Sequence, residues 1–170
     1  MSIKWVSQTL LFFFLILLQV WVFNQVHLLG FAMPLVYLYF IISLPVPMNR
    51  NLVIFLSFIL GLSIDIFSYT LGMHALAATV AGFSRDYSLK LFTSREMPNE
   101  YVPSVRSLGF ITYLKYAGSI ILLHNIVYFV IESLSLFDPI SLLLRIVGSF
   151  FLTMIIILAF ESINSDIFKK

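Results

Sequence analysis

GLSIDIFSYTLGMHAL, residues 61–76, places an aspartate, Asp65, inside one of the most apolar runs of the chain, with a glycine and a histidine just beyond it. Whether Asp65 stands in water or in lipid decides the fold. Of the 170 residues, 61% are hydrophobic and only 11% charged, which leaves too little polar surface to cover a water-soluble globule. Several apolar runs approach the roughly 17–25 residues that cross a hydrocarbon core of about 30 Å. In lipid the backbone must satisfy its own polar groups, and the runs lack the strict alternation of barrel strands, so an all-α membrane protein is expected.

The run lengths predict a single polytopic domain over 1–170, a compact bundle of about six transmembrane helices. Its spans are centred on 6–23, 31–44, 51–67, 72–83 or beyond, 114–131 and 141–160. Asn24, Gln25 and Gly30 close the first; Pro45, Pro47 and Asn49 close the second; Asp138 and Pro139 announce the sixth. The first run follows Lys4 but is followed by no small-residue cleavage site, so it is expected to be retained as a span. The fourth, at 72–83, is short for a crossing. A helix continuing through Arg85 to about Phe92 is long enough, with Arg85 snorkelling to the headgroups and Asp86 paired to Lys90.

Basic residues give the orientation. Lys4, Arg50, the group Arg85, Lys90, Arg95, Arg106 and Lys115, and Lys169 with Lys170 fall at the N-terminus, in alternate connections and at the C-terminus; the other three connections contain no Lys or Arg. The positive-inside rule then places both termini and the long loop 84–112 in the cytoplasm, and Arg145 alone breaks the pattern. Arg85, Lys90, Arg95 and Arg106 are the candidates there for contact with anionic lipid or a cytoplasmic partner.

About 14 helical steps from Asn51 put Asp65 roughly 21 Å up the third span, in the outer leaflet. Glu132 at the end of the fifth span and Arg145 near the start of the sixth lie at similar depth. Because an intramembrane charge is costly unless paired, turned inward or snorkelling, Arg145 is expected to pair with Asp65, with Glu132 the alternative partner. His124 and Asn125, halfway along the fifth span, suit hydrogen bonding to a neighbouring helix, and His74 suits a cap or a partner contact. Ala75, Ala78 and Gly82, with Ala77 and Ala81 beside them, make a small-residue face on the fourth span, suited to close helix packing or to a homodimer contact. Gly61 and Gly72 are expected to permit close helix approach.

Catalysis finds no support. There is no cysteine, the histidines His27, His74 and His124 lie on different segments, and no zinc-protease, nucleophile-elbow or phosphate-loop motif occurs. Neither a metal nor a cofactor is called for, and a net charge of +2 is too small to argue for nucleic acid.

Gly61, Asp65, Leu71-Gly72 and His74-Ala75-Leu76 together resemble the signature region of the MreD family of bacterial rod-shape-determining membrane proteins, and chain length and hydropathy agree. The resemblance implies a non-enzymatic inner-membrane component of the cell-elongation machinery. Its implied partners are an MreC-like periplasmic scaffold protein, the membrane synthases that build lateral peptidoglycan, and the actin-like MreB filament. The fold it implies is similar to the substrate-binding subunits of energy-coupling-factor vitamin transporters, which supplies the alternative function. Those subunits dock through an alanine-spaced first helix, whereas WVSQTLLFFFLILLQVWVF at 5–23 contains no alanine.

Overall fold

The computed structural model describes residues 2–25, 32–70, 72–93, 100–133 and 138–167. His27 and Arg95 lie outside them, as do Leu71 and the C-terminal lysines. The described residues are nearly all helical and include no strand. In chain order the helices are α1 (Ser2–Trp21), α2 (Leu38–Ser43), α3 (Arg50–Ser68), α4 (Met73–Phe92), α5 (Val105–Leu108), α6 (Phe110–Glu132) and α7 (Pro139–Ile167). Four of them, α1, α3, α6 and α7, are long and apolar enough to cross a membrane.

The short fourth run does continue as expected: α4 is one helix of 20 residues through Arg85 to Phe92. It lies against α3 on one side and α6 on the other, while α7 packs on α6. The small residues explain that central place. Ala75, Ala77, Ala78, Ala81 and Gly82 are all buried, and a Cβ on Gly82 would stand only 2.8 Å from Cβ of Ser57 on α3. The face that suited a second copy of the chain is thus covered by the chain's own α3 and α6.

Residues 31–44 depart from the expected span. Only Leu38–Ser43 is helical, and from Ala32 to Leu44 every described residue except Met33 is buried. Hydropathy cannot distinguish a run surrounded by lipid from one surrounded by protein; this run is surrounded by protein. Non-helical backbone at such a place must find partners, and side chains of the long helices supply them. Ser149 and Thr153 of α7 accept the N–H groups of Met33 and Leu35, both at 2.9 Å. Gln19 of α1 accepts the N–H of Val36 at 2.8 Å and donates to the carbonyl of Pro34 at 3.0 Å.

At the other end of this inner strap the free carbonyls of α2 are capped from outside. Tyr116 donates to Ile42 at 3.0 Å, Gln8 to Ser43 at 3.3 Å, and Arg85 to Leu44. Arg85 therefore does not snorkel. Its side chain is 1% exposed, turned inward to the C-terminal end of α2, where a cation is favoured. Its ion pair is with Asp86 at 3.6 Å, which displaces the expected pairing of Asp86 with Lys90.

The connection after α4 is shorter than the loop expected at 84–112, because α4 and α6 extend into it. Its described part is fastened to the bundle. Val46 and Tyr101 exchange backbone hydrogen bonds at 2.7 and 2.9 Å, Ser104 and Ser107 form a capping box on α5, and the N–H of Val105 reaches Glu161 of α7 at 3.1 Å.

Candidate functional site: the α3–α4 turn and its buried polar core

The stretch 61–76 folds into the turn between α3 and α4. Tyr69 ends α3 in the left-handed conformation (φ 54°), its N–H and that of Thr70 returning to the Asp65 carbonyl. Gly72 then starts α4 at φ 78°, a value that suits glycine. Having no side chain, Gly72 cannot cap the helix it begins. Asp65 does so from the neighbouring helix, accepting the N–H of His74 at 3.1 Å, the N–H of Ala75 at 2.8 Å and the hydroxyl of Thr70.

Gly61, one turn before Asp65, makes this reach possible. A Cβ there would lie 2.6 Å from Cα of Ala75, so a side chain would force the helices apart. Gly61 thus serves close approach, as expected, but Gly72 does not: nothing lies within 4 Å of its notional Cβ, and it is required for its positive φ.

The expected pairing of Asp65 with Arg145 is replaced by the alternative. Arg145 Nη1 stands 3.2 Å from Glu132 Oε2, each side chain about one-third exposed or more (40% and 35%). Asp65 sits on α3, whereas α7 packs on α6, the helix that carries Glu132. Moreover, the Asp65 carboxylate is already occupied by the donors of α4.

Beneath the turn lies a buried polar core. The Tyr37 hydroxyl of the strap sits between His74 Nδ1 of α4 at 3.1 Å and His124 Nε2 of α6 at 2.6 Å. One phenolic proton can be donated to only one ring nitrogen, so with neutral imidazoles the other ring must donate to the phenol oxygen. The Tyr128 ring lies 4.6 Å from that of His74 and stacks against His124. His74 is thus a core residue, not a surface contact. Asn125, with its amide oriented to suit its neighbours, donates to the Ile121 carbonyl at 3.3 Å and accepts the Phe150 N–H at 3.0 Å, joining α6 to α7.

A second polar group lies at the opposite end, where buried Glu161 accepts from Tyr39 at 3.1 Å as well as from Val105. Between the two groups α6 presents buried Ala117, Ile120 and Ile121. Both groups fasten one segment to another; among the described residues no cluster of three or more metal-ligating His, Cys, Asp or Glu occurs. Lys90 and Arg106 are exposed, as surface contacts require.

The polar residues that hold the strap, Tyr37, Gln19, Ser149 and Thr153, were not singled out by the sequence. Their one signal is that each is a hydrogen-bonding group within a long apolar run. Comparison of the chain with protein-family models, with curated proteins and with solved structures gives no match.

Proposed function

We propose that the protein is a non-enzymatic, MreD-type component of the bacterial cell-elongation complex. In this reading it lies in the inner membrane with about six crossings, counting the strap and α4 with the four long apolar helices. Both termini and the 84–112 region face the cytoplasm. It binds the membrane helix of an MreC-like scaffold protein and so links the filament inside to the lateral peptidoglycan synthases outside.

The observation that carries the reading is the unit formed by residues 61–76. Gly61, Asp65, Gly72, His74 and Ala75, which bear the resemblance, meet in one turn, where each has a distinct task in spacing, capping or bracing two helices. A rigid turn braced in this way suits a protein that works by presenting a fixed surface. The charge distribution supports the orientation, since Arg50, Lys90, Arg106 and Lys115 belong to the end remote from Asp65.

Affinity capture of the tagged full chain from mildly solubilised membranes tests the proposal. The expected result is co-purification of an MreC-like coiled-coil protein with a single membrane helix. Recovery of an ATPase pair in its place would overturn it in favour of a vitamin-transporter subunit.

A further inference from the structure

Arg50, the first residue of α3, holds an unusual position for a basic residue at the edge of an apolar bundle. Its guanidinium lies 4.2 Å from the ring centroid of Phe83 and 4.8 Å from that of Tyr87, both on α4, and its Nη2 donates to the Tyr87 hydroxyl at 3.2 Å. The aromatic pair is half exposed, so the shelf stands on the outer surface. Nε is buried and has no hydrogen-bond partner. Among the described residues the ion pairs are Arg85 with Asp86 and Arg145 with Glu132, and none of their carboxylates pairs with Arg50.

We propose that Arg50, Phe83 and Tyr87 form a binding site for the phosphate of an anionic phospholipid. A guanidinium set against two rings and bonded to the Tyr87 hydroxyl has already lost much of its rotamer freedom, and the guanidinium fork matches the geometry of a phosphodiester. Seven residues before Phe83 on the same face of α4, Leu76 is also exposed, so Phe83 and Leu76 offer a surface for the acyl chains that the same molecule carries. A soluble phosphate would use the guanidinium alone; a phospholipid uses both. Lys90 and Arg106 are also exposed, but neither is stacked on a ring pair. The site therefore differs from a general attraction between basic residues and the surface.

The test uses the purified full chain in mild detergent. Phosphatidylglycerol, phosphatidylcholine or inorganic phosphate is titrated in, with thermal unfolding and native mass spectrometry as readouts. Phosphatidylglycerol should raise Tm and remain bound, with its half-saturating concentration raised about tenfold by Arg50→Gln. Phe83→Leu keeps the charge but removes part of the shelf, and should weaken binding about threefold; it also serves if Arg50→Gln does not fold. Arg106→Gln should leave binding within about twofold of the parent, because a diffuse surface charge is screened. Equal losses from Arg50→Gln and Arg106→Gln would overturn the site. So would equal stabilisation by phosphatidylcholine or by inorganic phosphate.

Discussion

Asp65 on α3 accepts the backbone N–H of Ala75 on α4 at 2.8 Å, so a carboxylate from one helix closes the start of the next. A helix beginning at the edge of lipid has free N–H groups that few waters can reach, and a glycine in the cap position brings no acceptor of its own.

Asp65→Ala is therefore expected to destabilise the protein by about 2 kcal/mol in detergent thermal unfolding, and Asp65→Asn, which keeps one acceptor, by about 1 kcal/mol. In double-mutant cycles Asp65→Ala and Arg145→Gln should be additive within about 0.5 kcal/mol. Glu132→Gln and Arg145→Gln should couple by no more than about 1 kcal/mol, since both side chains are more than a third exposed or nearly so and the pair is screened. A larger coupling between Asp65 and Arg145 would mean that the charge on α7 is felt across the bundle.

The two glycines of the turn should respond differently. Gly61→Ala puts a methyl group against helix backbone that cannot swing away, and is expected to cost about 1–3 kcal/mol. Gly72→Ala meets open space and should cost only the left-handed backbone, about 1 kcal/mol, most of which Gly72→Asn should avoid. Equal losses for Gly61→Ala and Gly72→Ala, with no rescue by Asn, would contradict this division of roles.

Much of the helical framework was legible because a long apolar run in a chain with few charges can hardly be satisfied in any other way; α3, α6 and α7 follow their runs closely. The continuation of α4 through Arg85 was legible too, but the destination of Arg85 was not. A basic residue near a span end normally reaches for water, and only the buried carbonyl of Leu44, from a segment expected to be an ordinary span, draws it inward. The same hidden fact accounts for the missed partners of the strap. Its apolar residues satisfy the protein interior as readily as they would satisfy lipid. Asp65 was correctly singled out as costly, yet its partners are backbone N–H groups, which no reading of charged side chains could supply.

Orientation can be read in this cysteine-free chain by single-cysteine labelling. Tyr69 is 95% exposed at the α3–α4 turn and Lys90 is exposed near the far end of α4. In intact cells a membrane-impermeant maleimide should label Tyr69→Cys but reach Lys90→Cys only after permeabilisation. The reverse pattern would invert the orientation inferred from the basic residues.

The strap provides the strictest test of the fold, because its backbone is held by side chains rather than by its own helix. Thr153→Val is nearly isosteric and leaves the apolar packing in place, but strands the buried N–H of Leu35, at an expected cost of about 1–3 kcal/mol. Ser149→Ala should do the same at Met33, and Gln19→Leu should cost more, since Gln19 serves both the Val36 N–H and the Pro34 carbonyl. Ser119→Ala is the control: that hydroxyl bonds the Tyr116 carbonyl on its own helix, so its loss should fall within about 0.5 kcal/mol. Amide exchange at Leu35 should quicken in Thr153→Val before the long helices lose protection, because opening there requires only the strap to part from α7. If Thr153→Val were as stable as Ser119→Ala and Leu35 remained protected, the strap would have to be held by its apolar packing, not by the hydroxyls that face it.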